Sequence, residues 1–258
     1  MVHPDAARPI LAVDVYYTQH GKAVERASDR ENVMNRFWRH AETIESRDAW
    51  AAELPLGSVD KPLWVYANVT YALDEPVSGA GYYYRIYAAN RFNVSSLLGK
   101  ASPDQLKAAG VKATLKRSLL IESFEGDWEK EWFTYRPEAW ARQTHKVHAE
   151  QWKAPAGARL ALDVRSNRPN KLVVGMDQYA TEVGAEGAGE WQTVELAPTD
   201  FENALGEKLQ DWNDIRELRL GPKETLRSRK RGEESKLTLG GDWEGANPEF
   251  RNLRWVAR

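Results

Sequence analysis

Cysteine is absent from the 258 residues. Its absence excludes a disulfide framework, thiol catalysis and every zinc or iron–sulfur site built on thiolate ligands. Long apolar runs are missing as well. The stretches 160–162 and 172–174 are among the longest, far below the roughly 18 residues of a membrane-spanning helix, so no membrane partner is expected. Neither sign of charge prevails, with Lys+Arg 36 against Asp+Glu 38. A general nucleic-acid binder carries a basic excess, and no nucleic-acid partner is expected. Residues 1–8 lack the basic start and apolar stretch of a secretory signal peptide. With a Met so close to the first strand-like run, the chain reads as a segment excised from a longer protein.

Catalytic signatures are missing in the same way. There is no Gly-x-Ser-x-Gly nucleophile elbow, whose small neighbours permit the strained strand-to-helix turn that exposes a Ser hydroxyl. Nor is there a phosphate-binding glycine loop, a dinucleotide fingerprint behind a strand, or a His-Glu-x-x-His helix. No catalytic activity is expected of this segment.

Aromatic residues, by contrast, are plentiful, with eleven Trp and ten Tyr. They favour strands and also serve as flat platforms for sugars, so a β-protein core and a glycan-binding surface both remain open. Period-two alternation dominates the chain. Leu11, Val13, Val15 and Tyr17 fall on one face of a first strand, and residues 62–71 alternate again before Pro76 and Gly79-Ala80-Gly81 break the run. Trp50-Ala51-Ala52-Glu53-Leu54-Pro55 reads as a strand entering a turn. Residues 82–87 continue the strand chemistry and offer aromatic area for a contact between domains. Ser102-Pro103-Asp104, closed by Gly110, has the cap, early proline and stop of a short helix. From Ser118 onward the expected strands are 159–165, 171–176, 191–196, 215–220, 236–239 and 250–256, with no long helix between them. The run Arg227-Ser228-Arg229-Lys230-Arg231, followed by Glu233-Glu234, reads as a solvated hairpin tip. The predicted fold is all-β: an immunoglobulin- or fibronectin-like sandwich over 9–100, a helical connector over 101–117, and a jelly-roll sandwich over 118–258.

Several segments carry a resemblance. Ile121-Glu122-Ser123-Phe124-Glu125-Gly126-Asp127-Trp128, the strand pair Leu160-Ala161-Leu162-Asp163-Val164-Arg165 and Leu172-Val173-Val174-Gly175-Met176-Asp177, Glu190-Trp191-Gln192-Thr193-Val194-Glu195-Leu196 with Asp200-Phe201, and Phe250-Arg251-Asn252-Leu253-Arg254-Trp255 resemble the galactose-binding-like jelly rolls of carbohydrate-binding modules. Residues 9–75, through Val15-Tyr16-Tyr17-Thr18 and Pro62-Leu63-Trp64-Val65-Tyr66-Ala67-Asn68, resemble the β-sandwich that follows the catalytic domain in some bacterial α/β-hydrolases of the esterase and peptidase type. Together these likenesses imply the non-catalytic accessory region of a larger secreted hydrolase, extracellular or periplasmic, whose partners are a polysaccharide or oligosaccharide and its own catalytic domain. They also imply a structural calcium ion where the first and last strands of the jelly roll join, with Glu122, Glu125, Asp127 and Asn252 as oxygen ligands. The same four residues also suit turns and strand edges.

Alternation nominates the ligand-binding residues. With Leu160, Leu162 and Val164 inward, Asp163 and Arg165 point outward, and the same rule turns Asp177, Trp191, Glu217 and Arg219 outward from their strands. If these strands share one sheet, a single exposed face gathers Asp163, Arg165, Asp177, Trp191, Glu217 and Arg219, with Tyr179 beside them. Such a face grips sugar hydroxyls through charged hydrogen bonds while an aromatic ring stacks on the sugar's C–H face. The same residues also suit cross-strand ion pairs that merely keep a sheet soluble, which would make the chain a spacer packing on its own catalytic domain. A stand-alone polysaccharide-active enzyme would need two of these carboxylates as an acid pair. Arginine neighbours disfavour that by holding both ionised.

Overall fold

A computed structural model describes residues 1–5, 7–19, 37–47, 49–80, 86–134, 140–230 and 232–257. Strand accounts for 50% and helix for 9%, in several antiparallel sheets without a barrel, which makes the protein an all-β sandwich. The chain divides into two compact units, Met1–His20 with Trp38–Leu115 and Gly21–Phe37 with Lys116–Arg258. Among the described residues no helix is long and apolar enough to cross a membrane.

The first unit contains β1 (Ile10–Thr18), β2 (Arg39–Ala41), β3 (Thr43–Ser46), β4 (Ala49–Ala52), β5 (Leu63–Ala80), β6 (Ile86–Ser95), β7 (Gly99–Ala101) and the helix α1 (Pro103–Ala108). Its main sheet runs β2-β1-β5-β6 with β7 also on β5, and β3 and β4 form a separate pair. The register Val13↔Val69, Val15↔Ala67 and Tyr17↔Val65 aligns the alternating apolar positions of β1 and β5 on one face. Helix α1 starts where the sequence signals it. Ser102 accepts the Gln105 amide, Gln105 reaches back to the Ser102 amide, and Pro103 occupies the first turn, satisfying donors that a helix start otherwise leaves open. The helix buries Leu106 among Val15, Tyr17, Leu56 and Leu63, so it is part of this unit's core. Of the aromatic stretch 82–87, residues 82–85 and the side chains of 86 and 87 lie outside the described residues.

The second unit contains β8 (Leu120–Glu122), β9 (Arg142–Thr144), β10 (Arg159–Arg165), β11 (Asn170–Met176), β12 (Tyr179–Ala185), β13 (Trp191–Leu196), β14 (Leu218–Gly221), β15 (Lys223–Lys230), β16 (Glu233–Gly240) and β17 (Glu249–Val256). Two four-stranded antiparallel sheets result, sheet I with order β13-β10-β17-β8 and sheet II with order β12-β11-β14-β9. Leu160, Leu162, Val164, Leu253 and Trp255 of sheet I meet Leu172, Val174, Met176, Leu218 and Leu220 of sheet II in one buried core. Burial of each such aliphatic side chain contributes about 1.5–3 kcal/mol. The hairpin β15–β16, expected from the sequence as a solvated tip, has a second role at its base. Leu226, Leu237 and Leu239 pack on Val173 and Ala180, residues that alternate away from the core, and leave Val173 only 2% exposed. Sheet II is thereby covered on its outer side where the hairpin lies.

Candidate functional site

The seven residues nominated for one binding face are divided between two sheets. Asp163 and Arg165 lie on β10 and Trp191 on β13, in sheet I, whereas Asp177, Tyr179, Glu217 and Arg219 lie on or beside β11, β12 and β14, in sheet II. The single face expected from alternation is therefore corrected. Alternation sorts a strand's residues into two sides, but it carries no information about which strands become neighbours.

In sheet II the charged groups satisfy one another. Arg219 directs Nη1 to Glu217 Oε1 at 2.6 Å, Nε to Glu224 Oε2 at 3.2 Å and Nη2 to the Asp177 carbonyl at 2.5 Å. Its guanidinium lies against Gly175, where a Cβ would come within 2.9 Å of Nε, so the absent side chain makes room for the arginine. Asp177 sits in the left-handed region (φ 48) in the turn between β11 and β12. Its carboxylate accepts the Arg216 and Glu217 amides, the latter at 2.9 Å. Burial raises its pKa, and those two amide bonds oppose the rise without cancelling it. This group acts as a fastener for the turn, and Tyr179, partly buried, packs against the core.

Sheet I carries the other cluster, and a β-bulge builds it. Between the pairs Ala161↔Arg254 and Asp163↔Arg251, β17 has one residue more than β10, and Asn252 takes φ 54 there, a conformation Asn tolerates better than most residues. With Phe250 packed on the core and Leu253 fully buried, the bulge turns Arg251, Asn252 and Arg254 toward Asp163. The carboxylate accepts from Thr193 Oγ1 at 2.9 Å, Asn252 Nδ2 at 2.9 Å, Arg251 Nε at 3.3 Å and Arg254 Nη1 at 3.3 Å. Asp163 is only 5% exposed. Burial by itself would raise its pKa, but the bonds from Asn252, Thr193 and Arg254 and the Arg254 charge outweigh that and hold it below the ordinary carboxylate range.

Beside this network stands Trp191, partly exposed at the start of β13. The Arg251 guanidinium lies 4.2 Å and that of Arg165 4.9 Å from the centre of an indole ring, distances at which the ring quadrupole attracts a cation. Arg165 is forked onto Glu249 through Nε and Nη2. Thr193, Glu249 and Arg251 remain exposed around the indole, so this part of sheet I stays open to a ligand. A carboxylate held ionised by four donors is no general acid, and the arrangement is suited to binding and not to proton transfer.

The four residues expected to hold calcium are not brought together. Glu122 is buried and receives Lys146 Nζ at 2.6 Å, Trp132 Nε1 at 3.0 Å and the Phe124 amide. Asp127 pairs with Lys130 at 2.6 Å, Asn252 spends its amide on Asp163, and Glu125 is exposed. These donors do not fit a calcium ion, because a lysine ammonium and an indole N–H already fill the one buried carboxylate. Among the described residues no group of three or more His, Cys, Asp or Glu could hold a metal ion.

Sequence reasoning missed Arg251, Arg254, Glu249 and Thr193. The first three lie on β17, where the bulge interrupts the alternation that would have sorted them. An Asn within an alternating run is the one local sign of such a bulge. Comparison with family models, curated proteins and solved structures finds no match to this chain.

Proposed function

We propose that the chain is the non-catalytic accessory region of a larger secreted hydrolase, and that its second unit binds carbohydrate on the outer face of sheet I. The observation that carries this reading is the partly exposed Trp191 indole, flanked by the Arg165 and Arg251 guanidinium groups and standing among exposed polar side chains. Forked charged donors and carboxylate acceptors on a rigid sheet suit vicinal sugar hydroxyls. The likeness of 118–258 to carbohydrate-binding modules supports the same assignment. A second reading, a spacer that packs on its own catalytic domain, draws support from the outer side of sheet II, whose charges are mutually paired and whose apolar positions lie beneath the hairpin. Affinity electrophoresis of the full chain through gels containing neutral and acidic polysaccharides separates the two. Retardation by at least one polymer, lost with Trp191→Ala, is the expected outcome, and uniform mobility in every gel overturns the binding reading in favour of the spacer.

A further inference from the structure

Arg251 holds the least engaged charge on this face. Of its three guanidinium nitrogens only Nε reaches an acceptor among the described residues, Asp163 Oδ2 at 3.3 Å. Its side chain is 47% exposed, yet the guanidinium is held near Trp191 at 4.2 Å from the ring centre. Arg165, which also lies against Trp191, is already forked onto Glu249. Arg254 uses Nη1 on Asp163 and on the Asn252 carbonyl, at 3.3 and 2.7 Å. Of the two guanidinium groups that lie against Trp191, that of Arg165 is paired with Glu249, and that of Arg251 shares the Asp163 carboxylate with Arg254. The Arg251 charge therefore sits in a planar fork whose two Nη atoms have no acceptor among the described residues.

Resting on the binding reading above, we infer that the ligand is an acidic polysaccharide, one whose sugars carry carboxylates, and that the Nη pair of Arg251 receives a sugar carboxylate. A planar guanidinium matches a carboxylate through two parallel N–H···O bonds, each assisted by charge on both partners and so stronger than those that two neutral vicinal hydroxyls accept, which makes a sugar carboxylate the acceptor this fork favours. Two contacts hold the fork in place before the ligand arrives. Asp163 fixes Nε, and the indole of Trp191 fixes the guanidinium from its face, which lowers the ordering cost of binding. Trp191 is thus a positioning residue for Arg251, and its ring, already engaged by two cations, works through them.

The test uses the full chain and pairs of polymers that differ in one group: polygalacturonate, alginate and hyaluronan, each beside its carboxyl-reduced form, with neutral glucans and xylan as further lanes. Binding to at least one acidic polymer is expected, weakened about tenfold or more on carboxyl reduction and falling with added salt. Arg251→Gln should weaken binding to the acidic form by about tenfold and leave the reduced form unaffected, and Arg251→Lys, which keeps the charge but not the fork, should fall between. Trp191→Phe should restore most of what Trp191→Ala loses. Melting curves of each variant confirm that it is folded. Equal binding of native and reduced polymers, binding of neutral polymers alone, or wild-type affinity in Arg251→Gln each overturns the acidic-ligand inference while carbohydrate binding stands. Failure of every polymer to bind overturns the carbohydrate reading itself and the inference with it.

Discussion

Lys146 places its ammonium 2.6 Å from Glu122 Oε2, with both side chains 6% exposed. Glu131 lies at 2.6 Å on the same ammonium, and the Trp152 ring stands 5.0 Å away. The amine thus occupies, at the end of β8, a carboxylate that the resemblance to carbohydrate-binding modules implied for calcium.

Removing the amine leaves two poorly solvated carboxylates facing one another. Lys146→Met should destabilise the protein by about 3–5 kcal/mol, read as a shift in the urea midpoint. Glu122→Gln should cost less, because Glu131 still faces the ammonium. Since the internal cation makes a metal unnecessary here, EDTA should leave the melting temperature of the wild-type chain unchanged. A drop on chelation, restored by calcium, would show that a metal supports the fold.

The aspartates Asp163 and Asp177, nominated together from the sequence but placed in separate sheets, should respond oppositely to acid. Asp163 has a folded pKa below its ordinary value, so its stabilising contribution is present above the unfolded value of about 3.9 and is lost as the pH falls through the folded one. Asp177 has a raised folded pKa. The folded state then takes up the proton first, and its linkage favours folding as the pH falls from the raised value toward about 3.9. Urea midpoints measured from pH 7 down through pH 4 and below should show Asp163→Asn weaker by about 1–3 kcal/mol at neutrality, with a shallower acid limb. Asp177→Asn should show a steeper one.

Trp191 and Trp255 provide a paired control. Trp255 is 3% exposed and donates Nε1–H to the Trp152 carbonyl at 2.7 Å, so Trp255→Ala should cost about 3–5 kcal/mol of stability. Trp191 is partly exposed, and Trp191→Ala should leave the urea midpoint nearly unchanged while weakening polysaccharide binding about tenfold, or about 1.4 kcal/mol. A large loss of stability in Trp191→Ala would assign the indole to packing.

The hairpin depends on Gly240. Its φ is 73, and a Cβ there would collide with the Pro222 carbonyl oxygen and approach Val173 Cγ2 to 2.7 Å. Its amide also donates to Glu182 at 2.7 Å, helping with Lys171 to lower that carboxyl's pKa. Gly240→Ala should loosen β15–β16 from sheet II. Hydrogen exchange should then speed up at the amides of Leu226 and Leu237 more than at Leu160 or Leu172, which lie in the core between the sheets.

Much of the fold was legible along the chain because its causes are local. The cap and stop around α1 and the hairpin of β15 and β16 follow from residue types at short spacing, whereas β5 runs on through Pro76 to Ala80, and the break expected there is only a register shift against β6 between Ala72 and Val77. Period-two alternation likewise identified Leu160, Leu162, Val164, Leu172, Val174 and Met176 as core, since a pleated strand sends alternate side chains to opposite sides.

The candidate site was less legible, because three of its determinants are relations between distant segments. Pairing put β10 with β17 and β13 while β11 went with β14 and β12, which separated Asp163 from Asp177 although both point away from the core. The bulge at Asn252 brought Arg251 and Arg254 onto Asp163 from about 90 residues further along the chain, with separations of 88 and 91. Lys146 reached Glu122 across 24 residues and took up a carboxylate that looked free for a metal. The sequence by itself determined which side chains each strand turns toward the core between the sheets. Only the tertiary structure decided which strands lie side by side, and therefore which charges meet.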